Sequence, residues 1–118
     1  MDEVTLDELA SRLGEPGLVV LDVRSEAEFD GSAGYSCDPR QGHIPGARHL
    51  DVQELFGRGV PDVAEELGLD PGVEVIAYCH SGSRSAFAAE ALRAAGYRAR
   101  NYPGSWHEWS RDESLPAE

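Results

Sequence analysis

Apolar positions along this chain recur in two ways, as short unbroken runs and at helical spacing. Leu18 to Val23 is apolar except at Asp22, and Val73 to Tyr78 except at Glu74. Short continuous runs of this kind suit parallel strands covered on both faces. Ala47 to Leu50 and Tyr97 to Tyr102 predict two further short strands. Helical spacing appears between them. In Val4 to Gly14, Leu6, Leu9 and Leu13 share one face of a helix that Thr5 caps, with Glu8 completing a capping box. Ser25 to Phe29 predicts a single turn, and Val52 to Phe56 another behind Asp51. Val60 to Leu67 reads as a longer helix, with Pro61 in its first turn and Gly68 beyond its end. Ser83 to Ala95 is alanine-rich and closes on Gly96, a left-handed C-cap. Strands alternating with helices imply a mainly parallel sheet with helices on both faces, and the 118 residues read as a single domain, 1–118.

One junction carries chemistry. The strand ending at Tyr78 feeds the alanine-rich helix through Cys79-His80-Ser81-Gly82-Ser83-Arg84. So tight a turn aims several backbone N–H groups into one bowl, and the helix N-terminus adds partial positive charge. The natural anion there is the thiolate of Cys79 itself, with Arg84 at the rim. A buried, inert cysteine is the competing reading, outweighed by turn length, Gly82 and Arg84 together. Ser81 and Ser83 donate inward or cap the helix, capping being the preferred role for Ser83. His80 is expected to face solvent. Asp22, at a strand's carboxyl end, is read as structural.

Charge narrows the partners. Ten arginines, no lysine and 22 acidic residues give a formal net charge of −12. That excludes a nucleic-acid backbone or an anionic membrane as the expected partner. It also leaves the turn to supply its own positive potential to any anionic substrate. Two cysteines without C-x-x-C spacing fit a reducing compartment, and no long apolar run is present, so a cytoplasmic protein is expected.

The turn resembles the C-x-x-G-x-[RST] active-site loop of the rhodanese (thiosulfate:cyanide sulfurtransferase) family. Leu21-Asp22-Val23-Arg24 followed by Glu28-Phe29 is similar to the family's first signature, and Gly42-His43-Ile44-Pro45-Gly46-Ala47 matches its G-H-I-P-G-A element. The resemblance implies a three-layer α/β domain with about five strands. It implies sulfur transfer from thiosulfate or a similar small anionic donor, through a persulfide on Cys79, to cyanide or a thiol. A sulfur-carrier protein is a further candidate acceptor, and neither metal nor organic cofactor is expected. The N–H groups of His80, Ser81, Gly82, Ser83, Arg84 and Ser85 would hold the negative sulfur, and Asp22 and Arg24 would brace the neighbouring loops.

Gly104-Ser105-Trp106-His107-Glu108-Trp109 resembles the end of the catalytic domain in tandem-domain sulfurtransferases, where a companion domain walls the pocket. With no room for that domain, and with Glu28 where tandem enzymes commonly place an arginine, the pocket is expected to be shallow. Trp106 is a candidate pocket wall, a core position being the preferred reading. Asp30 to Gln41 reads as an insertion, either a solvated excursion or a lid. Cys37 within it is taken as an incidental thiol rather than a resolving one, and His43 as structural. Two rivals stand beside sulfur transfer. A phosphatase or arsenate reductase of related fold places Arg six positions after Cys, where this chain has Ser85. A non-enzymatic sulfur-carrier or docking module is the other.

Overall fold

The computed structural model describes residues 3–118. Its elements run α1 (Leu6–Arg12), β1 (Leu18–Asp22), α2 (Glu26–Asp30), β2 (Arg48–His49), α3 (Val52–Arg58), α4 (Val60–Leu67), β3 (Glu74–Tyr78), α5 (Ser83–Ala94), β4 (Arg98–Asn101) and α6 (Ser105–Trp109). The four strands form one parallel sheet in the order β2-β1-β3-β4. The resemblance implies about five strands. In place of a fifth, Glu3 makes a single parallel bridge to Asn101 of β4, and the chain enters α1 three residues later.

Local chemistry explains where the helices begin and end. Thr5 accepts the Glu8 N–H at 3.2 Å, although the Glu8 carboxylate turns to arginines instead of closing the box. Ser25 and Glu28 form the complete reciprocal cap of α2. At the end of α5, Tyr97 donates to the Leu92 carbonyl and Gly96, at φ 97°, to that of Arg93. This pair is the Schellman closure that only a residue tolerant of positive φ makes cheaply.

Alternation along β3 builds the three layers. Val75, Ala77 and Cys79 face a core shared with Leu55 of α3, Val63 of α4, and Ala88 and Leu92 of α5. Ile76 and Tyr78 face the opposite core, with Leu9 of α1 and with Trp106 and Trp109 of α6. Both sheet faces are thus covered, as unbroken apolar strands require. The amino edge of the sheet carries an ion-pair cluster. Glu74 accepts from Arg12 at 2.6 Å and from Arg100 at 3.2 Å, and Arg12 above all holds its carboxyl well below the usual range, at about 2. The carboxyl edge, where ligands sit in this class of sheet, holds Cys79. No helix among the described residues is long and apolar enough to cross a membrane.

Candidate active site

Cys79 follows β3 directly, and its sulfur lies over the start of α5. The Gly82 N–H donates to Sγ at 3.1 Å and the Ser85 hydroxyl at 3.4 Å. Burial pushes the thiol up, but the Ser85 hydroxyl and the N–H groups of Ser85, Gly82 and Ser81 together bring it below the ordinary cysteine value. Gly82, not Ser83, is the N-cap of α5, and it has no side chain with which to cap the helix. The expected capping role of Ser83 is therefore corrected: the sulfur itself takes the position of the capping acceptor. Gly82 is needed there for two reasons. Its φ of 100° lies in the left-handed region, and a Cβ would stand 2.7 Å from the Pro103 carbonyl oxygen.

The pH consequence has a definite sign. A depressed thiol pKa leaves the thiolate present at a lower pH than in an unperturbed cysteine. In a Cys37→Ser variant, whose remaining thiol is Cys79, thiolate ultraviolet absorbance should rise at a pH below the ordinary cysteine range. Adding Ser85→Ala should move that rise upward. A midpoint at the value of a free cysteine, unmoved by the second substitution, would show that the bowl does not act on the sulfur.

The turn is held from beneath by α6. Cys79 N–H donates to Ser105 Oγ at 3.0 Å, and the Ser105 hydroxyl donates in turn to the Tyr102 carbonyl at 2.9 Å. Trp106 N–H and His107 N–H donate to the carbonyls of Cys79 and His80, both at 2.9 Å. Ser105 is the one described residue other than glycine at positive φ, 55°, a strained conformation this network maintains. Its support role was not read from the sequence, where only the tryptophans drew notice. Trp106 is wholly buried and donates through Nε1 to the Arg40 carbonyl. It is a core residue, so the pocket-wall alternative is corrected.

Asp22 and Arg24 form a buried pair beside this core. Arg24 Nε donates to Asp22 Oδ1 at 3.0 Å and Nη2 to Oδ2 at 2.7 Å, while Nη2 also reaches the Gly42 carbonyl at 2.6 Å. The guanidinium lies 5.3 Å from the Trp106 ring centre and 5.7 Å from that of Tyr78. The Tyr78 hydroxyl accepts the Ile44 N–H at 3.0 Å. The first signature, the G-H-I-P-G-A element and the central strand are thereby joined in one network. His43 stacks on Phe29 at 3.8 Å and bonds its carbonyl, away from the sulfur.

Two residues of the turn differ from expectation. Arg84 does not stand free at the rim: Glu28 of α2 accepts from Nη1 at 3.0 Å and from Nη2 at 3.3 Å. Burial works against the Arg84 charge, but this carboxylate holds the guanidinium firmly protonated. His80 does not face solvent, because the 30–41 segment lies against it. Tyr35 stacks on its ring at 3.7 Å, and Asp38 Oδ1 lies 3.3 Å from Nε2. That segment is thus a largely exposed excursion that Tyr35 and the buried Asp38 pin to the active turn. Cys37 within it is exposed, Cys79 is buried, and neither is in a disulfide.

The sequence profile of the rhodanese-like domain matches residues 5–112. The chain belongs to the rhodanese family. It is 35% identical over 123 residues to a thiosulfate sulfurtransferase of Pseudomonas aeruginosa, covering 97% of this chain and 45% of that protein. A probable 3-mercaptopyruvate sulfurtransferase of the same organism is 37% identical over 118 residues, covering 92% of this chain and 41% of the relative. A crystal structure of a probable thiosulfate sulfurtransferase superposes with a TM-score of 0.84 at 47% identity, over 98% of this chain and 47% of that one. The wild-type structure of EanB shares the fold at a TM-score of 0.90 and 22% identity, over 99% of this chain and 27% of its own. This rhodanese domain therefore spans less than half the length of the relatives described.

Proposed function

We propose that this rhodanese domain is a sulfurtransferase that carries a sulfane sulfur as a persulfide on Cys79. The supporting observation is the sulfur of Cys79 at the N-terminus of α5, accepting hydrogen bonds where a cap would sit. The thiolate attacks the outer sulfur of thiosulfate. A new S–S bond forms, the bond to the sulfonate breaks, and its electron pair leaves with sulfite. A nucleophilic acceptor, cyanide or a thiol, then attacks the outer persulfide sulfur and the Cys79 thiolate is regenerated. The N–H groups of Ser81, Gly82 and Ser85 would hold the charge in both resting and loaded forms. The turn places Arg84 five positions after Cys79 and Ser85 at the sixth, a shorter ring that suits a single sulfur atom better than a tetrahedral phosphate. The hydrogen bonds to the sulfur lower the thiol pKa and so lessen the need for a general base.

The pairing of Arg84 with Glu28 tunes the donor. Glu28→Gln should release the guanidinium and raise the use of thiosulfate relative to an uncharged donor by about fivefold, the equivalent of ~1 kcal/mol at a partly exposed site. Arg84→Ala should shift the ratio the other way, and added salt should shrink both changes. Rates measured with both donors across ionic strength provide the check. Equal changes for the two donors would reduce Arg84 to a brace of the loop.

A further inference from the structure

A second set of donors gathers around the His80 side chain, apart from the groups that donate to the Cys79 sulfur. Cys37, Asp38, His80 and His107 each present one ligand atom, and the four atoms all lie within 4.8 Å of one another. They come from three separate parts of the chain: the 30–41 segment, the active turn and α6. Around Zn2+, bonds of about 2.0 Å to nitrogen and oxygen and about 2.3 Å to thiolate give tetrahedral edges near ~3.3 Å for N···O and ~3.5 Å for S···O. Asp38 Oδ1 lies 3.3 Å from His80 Nε2, 3.5 Å from His107 Nδ1 and 3.8 Å from Cys37 Sγ. These three edges through Asp38 are thus close to the lengths a tetrahedral ion requires, and the other three lie within 4.8 Å.

An independent sign comes from the second oxygen of Asp38. Its side chain is 1% exposed, and Oδ2 receives no hydrogen bond, although His80 Nε2 stands 3.0 Å away. A buried carboxylate oxygen without a donor is costly unless a cation meets it. The guanidinium that reaches this carboxylate is that of Arg111, whose Nη1 lies 3.0 Å from Asp38 Oδ1 and 3.2 Å from His107 Nδ1. Arg111 is 39% exposed at its side chain and leaves Oδ2 unmet.

We propose that Cys37, Asp38, His80 and His107 form a Zn2+-type metal site, for which Arg111 is the displaceable cation. One thiolate, one carboxylate and two imidazoles suit this ion better than Mg2+ or Ca2+, which take oxygen ligands. Binding releases the Cys37 thiol proton to solvent, and Arg111 turns outward. The ion ties the 30–41 segment and α6 to the residue after Cys79, and it holds the Cys37 sulfur in a metal bond. The absence of metal expected from the family resemblance would then not extend to this chain. None of the four residues supplies the nucleophile, so loss of metal binding and loss of sulfur transfer are separately measurable.

The test uses the full chain without a polyhistidine tag, carrying Cys79→Ser so that the catalytic thiol cannot bind metal. After removal of metals with a chelator, Zn2+ uptake is measured by calorimetry and Co2+ uptake by absorbance. One ion per chain is expected, with a thiolate-to-cobalt charge-transfer band and the intense visible bands of tetrahedral coordination. Cys37→Ser should abolish the charge-transfer band, and His107→Ala should weaken uptake by at least about tenfold. Zn2+ should raise the melting temperature of the parent more than that of these variants, a readout that also reports whether they fold. Arg111→Ala should bind more tightly, and unchanged or weaker binding would contradict displacement. No uptake at micromolar metal, an octahedral cobalt spectrum, or equal binding by the ligand variants would overturn the site.

Discussion

Replacing Cys79 by serine should abolish sulfur transfer without unfolding the protein, at the cost of a small fall in melting temperature. Incubated with thiosulfate, the parent should gain the mass of one sulfur atom on the peptide containing Cys79, and the variant should gain nothing. The reason is chemical. The serine hydroxyl is not ionised near neutral pH even in an N–H bowl, and oxygen is a poor nucleophile toward divalent sulfur. The fold should survive because the substituted hydroxyl can still accept the Gly82 N–H that Cys79 Sγ accepts at 3.1 Å. Residual turnover comparable to the parent would exclude the persulfide route. Sulfur appearing on Cys37 instead would move the nucleophile to the other thiol.

The largest stability effect is expected at Asp22. Asp22→Asn keeps the shape of the side chain but leaves the Arg24 guanidinium, itself only 1% exposed, without a counter-charge. Breaking one partner of such a pair costs about 3–5 kcal/mol. For a domain of this size that is a fall in melting temperature of roughly 10 °C or more. Thermal unfolding followed by circular dichroism measures it. Replacing both residues with apolar side chains should recover much of the loss, since a buried ion pair is more costly broken than absent. A single Asp22→Asn variant as stable as the parent would mean that Gly42 and the rings of Tyr78 and Trp106 suffice to hold Arg24.

Much of this architecture was legible because it is written locally. The bounds Val60–Leu67 of α4 follow from Pro61 and Gly68, and the end of α5 follows from Gly96. The active turn was equally plain, since a strand, a cysteine, a glycine and a helix lie within a few positions of one another. What stayed hidden depends on residues far apart in the chain. Glu28 meets Arg84 across 56 positions, and Ser105 supports Cys79 across 26. Asp38 reaches His80 across 42 positions. None of these pairs has a sequence period to reveal it. The misplaced role of Ser83 has a different origin. Serine at a helix start is ordinarily a cap, and only the location of the sulfur shows that the cap is already supplied.

That substitution of sulfur for a cap makes the stability of α5 a function of the state of Cys79. Whatever the first turn of the helix does to favour the thiolate, the thiolate does in equal measure for the first turn, because the two are one equilibrium seen from either end. Protonating or alkylating the sulfur takes from the helix the negative charge at its N-terminus. Forming a persulfide keeps the charge but carries it one atom outward, further from the backbone N–H groups that accommodate it. In the proposed sulfur-transfer cycle the start of α5 would therefore be most stabilised with the bare thiolate and least when the sulfur is neutral.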